Sequence, residues 1–436
     1  MTEAERRVLE EIARRKEDLV RLLADLVAFD TTARAAPDEP ARDEAALQEY
    51  LARRLRRAGA DIDLWEPTSE DVAGSRLTPR EGIAFEGRPQ LAARFAGRGG
   101  GCSLLLNGHI DVVSASPLGR WRSDPYRAEV RDGSVYGRGA CDMKGGIAAM
   151  VLAAEALAAT GAPLAGDLVV CTVTDEESTG VGALAAVRHG VQADAGIVTE
   201  PSGFDVWVAC RGSLIPTITI EGRPGHAGMP QSDWRAGGAV NAIEKADVVR
   251  AALRSLEEDW QRRDDQRHPY LSPGNLVPCL ITGGEWPVTI PASCALTYHV
   301  AYLPAFADSE GWGSEVEREI LAAIERAAAG DPWLVEHRPA VSWAPEVPSS
   351  EVSPGEPIIA ILLEAGAAVG RPGRIGGLDN WHDGATFTRF GATPCVCFGP
   401  GDIAHAHTID EHVPVDELVR CAQAIALAAR RFCGEG

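Results

Sequence analysis

Apolar residues recur every three or four positions at the start of the chain. Leu9, Ile12, Leu19, Leu22, Leu23, Leu26 and Val27 fall on one helical face, which predicts an amphipathic opening helix. A second helix is expected over 44–58. Strand-length apolar runs follow at 91–95 and 103–106, then an Ala-rich helix over 145–160 and a buried strand over 167–173. A helix over 182–189 and a short strand over 196–198 continue the pattern. Strands alternating with helices imply an α/β layer structure built on a mixed, largely parallel sheet.

The middle of the chain changes rhythm. It predicts a strand over 214–221, a helix over 237–256, strands over 275–282 and 294–303, a helix over 313–328 and a last strand over 340–343. That order describes a small α+β insert. The α/β pattern resumes with a helix over 357–369, an apolar strand over 393–398 and a final helix over 414–432. The expected division is therefore 1–211 with 345–436 as one domain and 212–344 as the other. A chain of 436 residues is also too long for one ordinary core.

Composition narrows the function. The formal net charge is −21, from 63 acidic and 42 basic residues. So acidic a surface repels phosphate backbones and anionic lipid, which argues against nucleic acid or membrane as partners. There is no apolar run of spanning length. The charged N-terminus lacks the layout of a signal peptide. The ten cysteines are scattered without a C-x-x-C pair, as expected of free thiols in a reducing cytoplasm.

Several acidic or histidine clusters stand at expected strand ends, where open α/β sheets build their sites. Asn107-Gly108-His109-Ile110-Asp111 pairs an imidazole with a carboxylate able to orient it. Asp142 lies in Gly137-Arg138-Gly139-Ala140-Cys141-Asp142-Met143-Lys144-Gly145-Gly146, just before a helix. Taken alone it reads first as an N-cap. Asp175-Glu176-Glu177 places three carboxylates side by side, which repel one another unless cations or solvent intervene. Glu200-Pro201 ends another strand. His405-Ala406-His407-Thr408-Ile409-Asp410-Glu411 comes near the end of the chain.

Their order is what makes them specific. From about Leu91 to Val413 the chain resembles the di-zinc aminoacylase and carboxypeptidase family, in its acetylornithine deacetylase and succinyl-diaminopimelate desuccinylase branch. The resemblance rests on His-x-Asp, Trp121, Asp124-Pro125, Tyr-Gly-Arg-Gly-Ala-x-Asp-Met-Lys-Gly-Gly, Asp-Glu-Glu, Glu-Pro and Ala-His-x-x-Asp-Glu. It implies that Asp142 bridges two metal ions, that His109 and Glu200 complete one, and that Glu177 and His407 complete the other. Glu176 is implied as general acid/base and Asp111 as the orienter of His109, with His405 a decoy.

The charges agree with that implication. Asp142, Glu177 and Glu200 and one hydroxide balance two Zn²⁺ ions, which together activate water and polarise a carbonyl. The ligand types suit zinc, with Co²⁺ or Mn²⁺ as substitutes. The expected activity is cleavage of the amide bond of a small N-acyl amine or N-acyl amino acid by a hydroxide that the two metals activate. A dipeptidase or carboxypeptidase is the alternative. A silent binding protein is disfavoured because it would have no use for Glu176.

The resemblance extends to the insert, which it implies to be a ferredoxin-like lid and dimerisation domain. Within Gly222-Arg223-Pro224-Gly225-His226-Ala227, His226 matches a histidine that stabilises the oxyanion across a homodimer. Asn241 matches a substrate-contact position. One element departs from the pattern. Relatives carry Asp-x-Arg-x-x-Pro where this chain has His299-Val300-Ala301-Tyr302-Leu303-Pro304. Ala301 cannot pair with a substrate carboxylate, which leaves Arg211 and Arg374 as candidate stand-ins.

Overall fold

The computed structural model describes residues 1–161 and 163–434. The chain forms two compact units, one of Met1–Ala209, Glu351–Leu378 and His382–Gly436, the other of Cys210–Ser350 with Asp379–Trp381. The short 379–381 segment joins the second unit through Asp379. Its carboxylate accepts from the backbone N–H and hydroxyl of Ser272, and its carbonyl accepts from Arg211.

The first unit is built on a nine-stranded sheet. Its strands run in the order Asp61–Trp65, Gln90–Phe95, Leu168–Val173, Leu104–His109, Ala195–Val198, Cys395–Cys397 and Val206–Cys210, and two short strands complete it. The mixed α/β class holds. The four central strands pair in parallel, while Asp61–Trp65 with Gln90–Phe95, Gln90–Phe95 with Leu168–Val173, and Val206–Cys210 with Cys395–Cys397 pair antiparallel. The central strands are buried at nearly every position, as strands covered on both faces must be. The helix Lys144–Ala159 is buried from Lys144 to Leu157 and packs with Val415–Cys433. Its small side chains let backbones approach closely. A Cβ at Gly146 would fall 2.0 Å from the carbonyl oxygen of Thr199, so glycine there brings the helix start against the strand end that carries Glu200.

Several elements differ from the sequence reading, the edge strand Asp61–Trp65 among those it did not predict. The single opening helix is two, Glu3–Arg14 and Lys16–Val27. They part at Arg15, whose guanidinium turns to Asp18 and Glu155. Val206–Cys210 is a strand that went unexpected because a continuous apolar run carries no period to read. Gly384–Phe390 is a short helix between the expected helix over 357–369 and the expected strand over 393–398, where the sequence reading placed no element.

The second unit carries strand Pro216–Glu221, helix Ala242–Trp260, strands Asn275–Gly283 and Ser293–Tyr302, helix Ser314–Ala329 and strand Ala340–Trp343. Numbered in that chain order, its four main strands lie side by side as 2-3-1-4, with every neighbouring pair antiparallel. This is the ferredoxin-like β-α-β-β-α-β arrangement. Asn275–Gly283 forms one edge. Among the described residues no helix is long and apolar enough to cross a membrane.

Candidate metal centre

The parallel strands point their C-terminal ends the same way, and each delivers part of one cluster. Leu104–His109 ends on His109 and leads to Asp111. Leu168–Val173 leads to Asp175, Glu176 and Glu177, and Ala195–Val198 leads to Glu200. Asp142 sits in the turn before helix Lys144–Ala159. His407 comes from the loop after Cys395–Cys397 and holds a left-handed φ of 59°.

Asp142 stands at the middle. Its Oδ1 lies 3.2 Å from His109 Nε2 and its Oδ2 lies 3.3 Å from His407 Nε2. Glu200 Oε1 is 3.7 Å and Glu176 Oε2 is 3.9 Å from His109 Nε2. Glu177 Oε1 is 3.0 Å from His407 Nε2. Two groups therefore share Asp142, one with His109 and Glu200 and the other with Glu177 and His407. A third joins His109, Glu176 and Glu177. Within each group the ligand atoms lie within 4.8 Å of one another. His405, two residues from His407, belongs to none of the three groups, and its ring lies against that of His412 with centroids 4.3 Å apart and planes tilted by 30°.

The donor set fits divalent cations. His109 Nδ1 is 2.9 Å from the backbone carbonyl of Asp111. A carbonyl only accepts, so Nδ1 carries the proton and Nε2 turns toward three carboxylates. A neutral ring would aim a lone pair at negative oxygens, so the arrangement calls for a positive charge between them, either a bound cation or a proton on Nε2. Burial resists charging His109, yet Asp142, Glu176, Glu200 and Asp111 together hold its pKa well above the ordinary value. Burial pushes Glu176 well above the usual carboxylate range. The pull of His109 opposes that rise, and the charges of Glu177 and Glu200 add to it. Such mutual strain among buried acids marks functional sites.

Asp111 meets His109 through its backbone carbonyl, and its carboxylate has further partners. Its carboxylate stands 3.7 Å from His109 Nδ1, and its backbone carbonyl takes the ring N–H instead. The carboxylate oxygens accept the backbone N–H groups of Glu176 at 3.2 Å and Glu177 at 3.0 Å. Burial lifts this acid to about 6, against the pull of His109.

Other supporting residues were not singled out from the sequence. Arg34 forms a buried bidentate pair with Asp175 at 2.8 and 2.9 Å, fixing the residue before Glu176. Glu411 accepts from the backbone of Cys141 and Asp142 and from Arg138. Asp383 is 1% exposed, and neither carboxylate oxygen has a hydrogen-bond partner. A buried Asp in a glycine-rich segment has no sequence signature that separates it from a loop Asp.

The remaining expected positions lie elsewhere. In the second unit, His226 is exposed and its Nδ1 accepts from Gly228 N–H. Asn241 caps helix Ala242–Trp260 by accepting from Ile243 N–H. Arg211 donates to the carbonyls of Asp379 and Pro273. Ala301 is buried within Ser293–Tyr302. In the first unit, the Arg374 side chain is 86% exposed and pairs with Asp205.

Comparison with known proteins accords with this geometry. Residues 105–431 match the model of peptidase family M20/M25/M40. The chain is 29% identical over 429 residues to an N-formyl-4-amino-5-aminomethyl-2-methylpyrimidine deformylase of Bacillus subtilis (strain 168), covering 94% of this chain and 93% of that one. It is 30% identical over 422 residues to an acetylornithine deacetylase of Myxococcus xanthus, covering 94% and 97%. The fold matches a crystal structure of a tripeptidase from Staphylococcus aureus with a TM-score of 0.72 at 18% identity, over 96% of this chain and 98% of that one. With most of its length accounted for by the family's pattern, the chain is a member of peptidase family M20/M25/M40.

Proposed function

We propose that this enzyme hydrolyses the amide bond of a small N-acyl amine or N-acyl amino acid, and that it holds two zinc ions per chain. One observation carries the reading: the two carboxylate oxygens of Asp142 face two different histidines, Oδ1 toward His109 and Oδ2 toward His407. That is the disposition of a bridging carboxylate. Glu200 would complete the His109 corner and Glu177 the His407 corner. When bound, two such ions polarise the scissile carbonyl and make a water molecule acidic enough to attack at neutral pH.

The chain's own residues supply the proton transfers. Glu176 stands beside this centre without bridging the two histidines, and burial keeps its carboxyl ready to hold a proton. It takes a proton from the attacking water and returns it to the leaving nitrogen. Asp111 and Arg34 fix the backbone on which it stands. Relatives named as a deformylase and a deacetylase support an N-acyl substrate, and the buried Ala301 supports one without a carboxylate clamp at that position. Asp142→Ala should lose both metals, and full zinc occupancy in that variant would remove Asp142 as the bridge.

A homodimer in a cytoplasmic setting completes the proposal. The edge strand Asn275–Gly283 leaves Val277, Leu280 and Ile281 exposed at 43, 64 and 58%, with Trp286 at 67% nearby in sequence. An exposed apolar edge invites pairing with another chain, and a second copy is the partner that we assign. In that dimer His226 is the candidate oxyanion donor.

A further inference from the structure

Glu411 is fully buried and stands outside the three ligand groups, yet its carboxylate takes three donors beside Asp142. Its Oε1 accepts the backbone N–H of Cys141 at 2.9 Å and of Asp142 at 3.0 Å, and its Oε2 accepts from Arg138 Nη1 at 2.5 Å. Its own carbonyl accepts Gly137 N–H at 3.0 Å. Arg138 is 2% exposed and lies over the Trp121 ring at 5.1 Å. Glu411 also ends the loop that carries His407. The strand after it, His412–Pro414, pairs antiparallel with Ser134–Tyr136, the segment that leads into the Asp142 turn. One carboxylate therefore joins the chain that presents Asp142 to the chain that presents His407.

We infer that Glu411 is a positioning residue that holds Asp142 and His407 at metal-binding separation before any metal arrives. The inference rests on the two-metal reading above. The backbone amides of the Asp142 turn would otherwise be buried donors without a partner, and the turn would settle by moving. A turn that moves carries the Asp142 carboxylate with it and changes its separation from both histidines, now 3.2 and 3.3 Å. Groups that orient ligands in this way change metal affinity by about 10–100-fold when lost.

The test is zinc titration of the chelator-stripped full-length protein against a chromophoric competitor, read beside the melting temperature of the metal-free form. Glu411→Gln keeps the shape, but either orientation of its amide sets an NH2 group against donors, the two backbone amides or Arg138. The expected result is zinc affinity weakened by about tenfold or more, with the folded metal-free protein retained. Adding Arg138→Met removes the competing donor, so the double variant should recover most of the lost affinity. Affinity equal to wild type in folded Glu411→Gln would overturn the inference, as would a folded double variant that stays as weak as the single one. If Glu411→Gln fails to fold, the double variant decides alone. Wild-type protein that binds no zinc would instead overturn the two-metal reading, which separates the two failures.

Discussion

Asp111 holds the backbone of Glu177, accepting its N–H at 3.0 Å, while its other oxygen takes the N–H of Glu176 at 3.2 Å. Its carbonyl meanwhile receives the ring proton of His109 at 2.9 Å. One residue thus sets the spacing between a candidate ligand histidine and the pair of glutamates. Asp111→Asn leaves one acceptor for two amides. We expect kcat to fall by about 10–100-fold, with zinc still bound. Steady-state kinetics alongside metal counting checks this, and an unchanged kcat would show that the clamp is dispensable.

Glu176 and Glu177 are neighbours with different surroundings. Glu177 faces His407 at 3.0 Å, whereas the nearest histidine nitrogen to Glu176 is His109 Nε2 at 3.9 Å. Glu176→Ala should cost about 10²–10⁴-fold in turnover, the usual contribution of a general acid/base, while metal content stays at the wild-type level. Near-normal turnover in a metal-loaded variant would remove the acid/base assignment.

Hydrogen bonds to Asp142 and Glu177 raise the pKa of metal-free His407 to about 10, with burial opposing. An unfolded histidine titrates near about 6.5. The raised value therefore stabilises the metal-free fold fully below that pH, and the contribution is lost as pH rises through about 10. Zinc must displace this proton, so between those limits its apparent affinity should rise with pH. Calorimetric zinc titrations at pH 8, in buffers of different ionisation enthalpy, should show at least one proton released per chain. No release would mean that His407 is not protonated at that pH or is not a ligand.

Much of the first unit was legible because its central strands are apolar runs that stop abruptly at polar residues. The breaks at His109, Asp175 and Glu200 mark strand ends, and the structure gathers those ends on one side of the sheet. Other features were not legible. Sequence adjacency suggested that the Asp111 carboxylate meets His109, but the backbone carbonyl takes that contact and frees the carboxylate for two amides. Glu411 follows Asp410 in a polar stretch, and nothing in residue type says that one turns inward while the other faces Arg122. Arg374 looks the same in a sequence whether buried or exposed. Its pairing with Asp205 on the surface became visible only in three dimensions.

The edge strand gives a prediction about assembly. Leu280 and Ile281 are exposed beyond the irregularity between Pro278 and Leu280. Replacing both with lysine should shift the protein from dimer to monomer in sedimentation experiments without lowering its melting temperature, since neither side chain is buried within the chain. A dimer that survives the double substitution would place the contact elsewhere.

Metal-dependent amide hydrolysis is tested on the purified protein itself. Purified protein would be analysed for metal per chain and assayed against N-formyl and N-acetyl amines, N-acyl amino acids and dipeptides, before and after chelation. About two zinc ions per chain are expected, with hydrolysis of an N-acyl compound that chelator abolishes and zinc restores. Cleavage that persists after the metal has been stripped would contradict metal-dependent hydrolysis.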